Sequence, residues 1–142
     1  MKKYELTNET KVIIGTTLYR IRALISFGNV SVGDLGGWIE KEDNLAHDGN
    51  AWVSGDARVS GDAEVLNPVH LLTVGAIGSR DGFTTFFRTK EKQIKVSCGC
   101  FIGTIAEFAE KVKQTHGDSK HAKTYALAIE LAKAQIEDVE DK

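Results

Sequence analysis

The sequence is poor in cysteine and proline, and it contains no long apolar run. Its two cysteines, Cys98 and Cys100, are separated by one residue, so a disulfide framework is not expected. No run of 18 apolar residues is present, so no segment is predicted to span a membrane. The first ten residues, MKKYELTNET, lack the apolar core of a secretory signal. Together these absences predict a cytoplasmic protein.

Neither sign of charge dominates, because 18 Lys and Arg oppose 20 Asp and Glu, which gives a net charge of −2. Residues 69–123 are more basic, with nine basic and five acidic side chains, an excess of +4. This excess favours a small anionic ligand, but it is too small to predict binding to duplex nucleic acid.

The single proline marks a boundary in the chain. Pro68 follows Asn67, and an Asn-Pro pair is typical of a turn. A repeated segment ends just before it, and a different sequence pattern begins after it. We therefore predict two domains, residues 1–68 and residues 69–142.

A six-residue unit occurs three times without a gap in residues 48–65, as DGNAWV, SGDARV and SGDAEV. A period of six fits neither a helix nor a plain strand, and it indicates a repeat of short strands and turns. We predict a short left-handed β-helix with the β-rich residues 1–40 as its cap. Its alanines and valines should point inward and its glycines should turn the corners: Ala51, Val53, Ala57, Val59, Ala63, Val65, Gly49, Gly55 and Gly61.

This tract is short for a repeat architecture. In known left-handed β-helices one triangular coil takes three hexapeptides, and a degenerate unit, EDNLAH at 42–47, brings this chain to four at most. Roughly three or more repeat units with caps are needed for stability, so other parts of the chain or another subunit must cover the exposed ends of this short tract. We predict a scaffold role for the tract and a homo-oligomer, a dimer or tetramer.

The second part has a different pattern. The runs HLLTVGAIG, TTFFRTK and IKVSCG predict a three-stranded antiparallel meander. Thr104 and Glu107 form a capping box that starts one helix, and a second helix starts at Asp118 or Ser119. The predicted fold is therefore α+β, with a short left-handed β-helix-like N-terminal domain followed by a small βββαα domain.

Two glycine-containing segments of this second part are candidate anion sites. Gly78, Ser79 and Arg80 end a strand, where glycine lets a ligand approach the backbone and arginine offers a fork that matches phosphate. The alternative is an ordinary turn with an exposed arginine. Residues 99–104 lead into a helix N-terminus, whose free N–H groups favour anions. The alternative there is a plain helix cap with buried cysteines.

Phenylalanines alternate with basic residues between positions 80 and 101, a combination that could stack on bases while neutralising phosphates. Strand alternation puts Phe86 and Arg88 on one face and Phe87 on the other. One phenylalanine should then fill the core beneath the helices, and the other needs a partner subunit or a ligand.

Three enzymatic patterns are weaker. Zinc could be bound by two cysteines and two histidines, Cys98, Cys100, His116 and His121, but the Cys-x-Cys spacing is tight for a zinc site. A catalytic Cys–His pair has the right residue types but lacks any familiar local signature. His47 lies in a hexapeptide tract, and acyltransferases built on the left-handed β-helix use a histidine base, but one coil leaves no groove for an acyl donor. We therefore predict no catalytic residue, no metal and no cofactor.

Two stretches resemble known families. Residues 4–65, with LYRIRAL, GDLGGWIEKEDNL and the repeats, resemble the hexapeptide-repeat segment common in phage and prophage proteins. Residues 70–136, with VGAIGSR, TTFF, VSCGCFIGTIAEF and KHAKTYALAIELAK, resemble phage-encoded sponges for the cyclic nucleotide signals of antiphage defence of the CBASS type. The second resemblance implies an oligomer that binds its ligand without hydrolysis, near subunit contacts, in the bacterial host cytoplasm.

From these patterns we expect a non-enzymatic protein that sequesters a cyclic dinucleotide or a similar nucleotide-derived anion. Ser79 and Arg80 should bind one phosphate and the 99–104 helix N-terminus a second, with Phe87 or Phe101 stacking on a base. The full set of expected ligand-binding residues is Gly78, Ser79, Arg80, Phe87, Arg88, Gly99, Phe101, Thr104, Lys120, Lys123 and Tyr125. The alternatives are a structural or protein-interaction module and, more weakly, an acyltransferase-like enzyme.

Overall fold

The computed structural model describes residues 2–136 and 139, so part of the end of the predicted second domain lies outside the described residues. The first part contains β1 (Tyr4–Ile13), β2 (Thr16–Ala23), β3 (Leu35–Ile39), a 3-10 helix (Glu42–Asn44) and β4 (Arg58–Val59). After a second 3-10 helix (Pro68–His70) come β5 (Leu71–Ile77), β6 (Gly82–Arg88), β7 (Ile94–Cys98), β8 (Phe101–Thr104), α1 (Ile105–His116) and α2 (Lys120–Gln135).

These strands form two four-stranded sheets. The first has the order β1-β2-β3-β4, and its last pair is parallel. The second has the order β5-β6-β7-β8 and is antiparallel throughout. Because α1 and α2 pack on one face of the second sheet, the chain is α+β, as predicted. No described helix has the length and apolar character needed to cross a membrane.

The predicted left-handed β-helix is wrong. Between positions 48 and 65 the described chain forms one strand of two residues, β4, which pairs in parallel with β3. Beyond this pair, the parallel pairing of the tract in the described chain is a single bridge between Leu45 and Val65, so no stack of coils forms. The tract also packs against the second sheet, where Glu64 N–H donates to the Arg88 carbonyl (2.9 Å) and Lys90 N–H to the Asp62 carbonyl (2.8 Å).

The inward residues of the repeat are nevertheless confirmed. Its alanines and valines are at most 1% exposed and form a core with side chains of the first sheet: Ala51, Val53, Ala57, Val59, Ala63 and Val65. The corner glycines Gly49, Gly55 and Gly61 have φ angles of 72°, 57° and 60°, which glycine adopts without strain. The period of six therefore predicted correctly which side chains point inward, although it did not predict which segments of the chain the tract packs against.

The second part has one more strand than the predicted βββαα unit. Gly99 (φ 57°) and Cys100 turn the chain back after β7, so residues 101–104 pair with β7 as β8 before α1 begins. The capping box is confirmed: Thr104 Oγ1 accepts from Glu107 N–H (3.1 Å), and Glu107 Oε1 accepts from Thr104 N–H (2.8 Å). Of the two predicted starts of α2, Ser119 is the N-cap.

Strand β6 connects the two halves of the protein. Phe86 points to the helices and packs against Phe108, whereas Phe87 points to the opposite face and joins the core of the hexapeptide tract. A partner subunit or a ligand was expected to cover one of the two phenylalanines, but the hexapeptide tract of the same chain covers Phe87 instead. The domain boundary predicted after Pro68 falls in the 3-10 helix between the sheets, and the independence of the two domains stays a prediction.

Candidate functional site

A cleft of about 780 Å³ opens at one end of the second sheet. Its walls come from the β5–β6 turn, the β7–β8 turn, α1 and the first half of α2, together with one residue of the hexapeptide tract, Arg58. Small-molecule sites usually have volumes of roughly 300–1,000 Å³ and mainly apolar walls with a few polar groups. This cleft fits that description, because apolar side chains form much of its wall: Ile77, Phe83, Phe101, Phe108 and Val112.

The charged groups of the cleft are all basic. Arg58, Arg80 and Lys111 line it, and the described lining residues include no carboxylate. None of the three forms an ion pair with a described carboxylate, whereas basic residues elsewhere do, such as Lys95 with Asp62 (3.0 Å). Unneutralised cations beside low-dielectric walls produce a positive potential that favours an anion.

The predicted Gly-Ser-Arg segment lies in the β5–β6 turn. Ser79 and Arg80 are exposed and line the cleft. Gly78 is buried beneath them with a φ of 83°, and a side chain there would overlap the hydroxyl of Tyr125. Glycine at this position lets the turn approach α2 and close the inner part of the cleft.

Tyr125 supplies a protonated phenol to the cleft wall. Burial, and next the neighbouring Cys98, raise the pKa of Tyr125 to about 12. Its hydroxyl lies 4.0 Å from Cys98 Sγ, which also accepts a hydrogen bond from Thr84 Oγ1 (3.3 Å). The ring stacks on His116, with centroids 5.6 Å apart. A phenol with this pKa stays neutral near pH 7 and can donate a hydrogen bond to a ligand.

Two further predicted residues, Gly99 and Phe101, also line the cleft. Thr104 does not, because its side chain and N–H are committed to the capping box with Glu107. Around Gly103, the side chains of Glu107 and Phe101 fill the space where a second phosphate was expected. The first turn of α1 is therefore satisfied internally.

Four predicted residues lie away from the cleft. Phe87 is 0% exposed, so it cannot stack on a base. Arg88 is buried and pairs with Glu64 of the hexapeptide tract (3.0 Å), which accounts for its burial without a ligand. Lys120 and Lys123 are exposed at the start of α2 but are not among the residues that line the cleft.

The set of ligand-binding residues expected from the sequence omitted several residues that line the cleft. Arg58 was hidden in a segment interpreted as scaffold. Lys111 and His116 lie on α1, and the helical spacing of the adjacent Val112 could have placed them at the sheet end. Phe83 is 41% exposed although it is aromatic, and its place in β6 next to the turn was the available signal.

The alternative enzymatic residues have other surroundings. His47 Nδ1 accepts from Lys3 N–H (3.0 Å), and Nε2 pairs with Glu42 Oε1 (2.8 Å), while the ring stacks on Tyr4. Both ring nitrogens are thus engaged, which suits a structural histidine. Within residues 2–136 and 139, no group of three or more His, Cys, Asp or Glu side chains could hold a metal ion.

Comparison with known proteins gives one partial similarity. No family model matches the chain. A stretch of 61 residues is 38% identical to an uncharacterized acetyltransferase, YdcK, of Escherichia coli strain K12. The match covers 37% of this chain, which spans only 19% of the length of that protein. Together with the six-residue period, the similarity gives a loose link to hexapeptide-repeat proteins.

Proposed function

We propose that the chain binds and sequesters a small nucleotide-derived anion, such as a cyclic dinucleotide, in the cleft at the end of the second sheet. The observation that supports this most is the convergence of Arg58, Arg80 and Lys111 on an apolar cleft without a described carboxylate. In biological terms this is the role of a phage-encoded sponge for a nucleotide second messenger in the bacterial host.

The aromatic residues favour a nucleotide over a simple inorganic anion. Phe83 and Phe101 line the same cleft as the cations. Stacking of a base on an aromatic ring is worth about 1–3 kcal/mol and tolerates different bases, since every base has a π-face. The neutral Tyr125 hydroxyl adds a donor that an acceptor on the base or sugar would satisfy.

Retention without turnover is part of the proposal. The cleft presents three cations and a phenol that the raised pKa of Tyr125 keeps protonated; its described lining residues include His116 and the thiols of Cys98 and Cys100, but no carboxylate. The cations and the phenol are suited to neutralising the charge of a bound anion and donating hydrogen bonds to it. We therefore expect the ligand to leave the protein chemically unchanged.

A thermal-shift screen tests this proposal. The probes are cyclic di-AMP, cyclic di-GMP and ADP-ribose, with uncharged adenosine as the control. A ligand at about 100 times its Kd stabilises the folded state by about 2.7 kcal/mol, which should raise Tm by roughly 5–10 °C. Chromatography of the recovered ligand should show the starting compound. Failure of all three anions to shift Tm, or release of a product, would overturn the proposal.

A protein-interaction module is the second candidate. On α2, Leu127 is 72% exposed and Leu131, one turn later, is 49% exposed, so this helix presents apolar side chains outward as well as inward. A protein partner on that face should leave the melting curve unaffected by small anions. The same screen therefore separates the two functions.

A further inference from the structure

Arg58 belongs to the hexapeptide tract, yet it reaches the cleft formed by the second part of the chain. Its backbone is held from two sides: β4 pairs with Trp38 of β3, and the Arg58 N–H donates to Thr85 Oγ1 of β6 (3.1 Å). Its Nη2 donates to the carbonyl of Gly99 in the β7–β8 turn (3.0 Å). Arg58 is thus a lining residue whose main chain and side chain are both anchored.

The anchored guanidinium retains donors for a ligand. A guanidinium carries five N–H donors in one plane. The hydrogen bonds of the described residues use one nitrogen of Arg58, toward Gly99, and no described carboxylate neutralises its charge. Because the Gly99 carbonyl already restrains the side chain, binding an oxyanion costs little further conformational entropy.

The other two cations of the cleft are held differently. Arg80 lies in an exposed turn and Lys111 on an exposed helix position, and neither side chain hydrogen-bonds to a described residue. Exposed charges act mainly by attracting an oppositely charged ligand, which changes the association rate and its salt dependence. A restrained, partly buried charge acts mainly on the dissociation rate.

We propose that Arg58 is the residue that anchors the oxyanion of the ligand and selects for it, while Arg80 and Lys111 attract the ligand. This inference rests on the proposed function. In chemical terms, the planar guanidinium of Arg58 donates two parallel N–H hydrogen bonds to a phosphate or phosphodiester of the ligand. It also implies that the site is complete only when the hexapeptide tract lies against the second sheet, so the tract is more than a scaffold.

Binding kinetics test the assignment, with fluorescent cyclic di-AMP as the probe in stopped flow. Arg58→Lys keeps the charge but loses the fork, so koff should rise about tenfold or more while kon stays within about twofold. Arg80→Ala should lower kon and reduce its salt dependence. Arg22→Ala is the distant control, since Arg22 pairs with Glu5 on the first sheet, and it should change neither rate.

A structural control separates anchoring of the ligand from support of the fold. Arg58→Lys keeps the charge and the bond from the residue 58 N–H to Thr85, so urea unfolding should give a free energy of unfolding close to that of the unmodified protein. A rise in koff that is matched by an equal loss of stability would mean that Arg58 acts only through packing, and would overturn the inference.

The outcomes also distinguish the inference from the proposed function. Binding of cyclic di-AMP that Arg80→Ala weakens and Arg58→Lys leaves unchanged would overturn the role of Arg58 and leave the proposed function standing. Absence of binding by the unmodified protein to cyclic di-AMP, cyclic di-GMP and ADP-ribose would overturn both.

Discussion

Replacing Gly78 by alanine tests the closed inner part of the cleft. Gly78 has a φ of 83°, and a Cβ built there would overlap the Tyr125 hydroxyl and lie 2.9 Å from its Cζ. The substitution therefore carries two costs, a backbone conformation unfavourable for a side chain and a steric overlap with α2. Gly15, with a φ of 77° and no atom within 4 Å of such a Cβ, carries the backbone cost alone.

The two costs have different magnitudes. A left-handed conformation costs an alanine roughly 1–2 kcal/mol, and forcing extra atoms into a packed site costs about 1–3 kcal/mol more. We expect Gly15→Ala to lower the free energy of unfolding by about 1–2 kcal/mol and Gly78→Ala by about 2–5 kcal/mol. Tyr125→Phe removes the atom nearest to the new methyl group, so the Gly78→Ala loss should shrink by about 0.5–3 kcal/mol in that background.

Equilibrium urea unfolding of the four single and double variants measures these differences, with m-values checked for constancy. The double-mutant cycle isolates the contact between the turn and the helix. Equal losses for Gly78→Ala and Gly15→Ala, together with no coupling to Tyr125→Phe, would refute the described closure of the cleft.

The remaining predictions address binding, packing, pH and assembly. Arg80→Ala should weaken binding of cyclic di-AMP, whereas Arg80→Lys should keep most of the affinity because attraction depends on the charge and not on the fork, and calorimetry measures both. Phe87→Ala should cost about 3–5 kcal/mol of stability in urea unfolding, because Phe87 is fully buried. Phe83→Ala, at an exposed position, should spare stability and weaken binding. The hydrogen bond from His47, and next that from Lys2, lower the pKa of Glu42 below its ordinary 4.5, so its stabilisation is present above that pH and is lost as pH falls through the lowered value. In Glu42→Gln, the free energy of unfolding should therefore fall less toward acidic pH than in the unmodified protein, by less than about 1 kcal/mol because the side chain of Glu42 is partly exposed. The same pH dependence in both proteins would contradict this prediction. Sedimentation should show a dimer or tetramer, and a well-folded monomer at low concentration would contradict that prediction.

The sequence alone determined the features that depend on neighbouring residues. The capping box of Thr104 and Glu107 and the inward direction of the repeat alanines and valines were predicted correctly, and the cap Ser119 was one of the two predicted starts of α2. Each follows from hydrogen bonding within one turn of a helix or from a short period of small and apolar side chains. The turn with Ser79 and Arg80 was located in the same way, from glycines near a strand end.

Only the tertiary structure decided which distant segments meet. The six-residue period predicted a stack of coils, but the tract pairs in parallel with β3 of the first sheet and shares a core with Phe87 of the second sheet. That choice buries Phe87, gives Arg88 the partner Glu64 and brings Arg58 to Gly99, 41 residues away in the chain. No local pattern specifies such pairings, since they depend on how two complete surfaces fit together and exclude water.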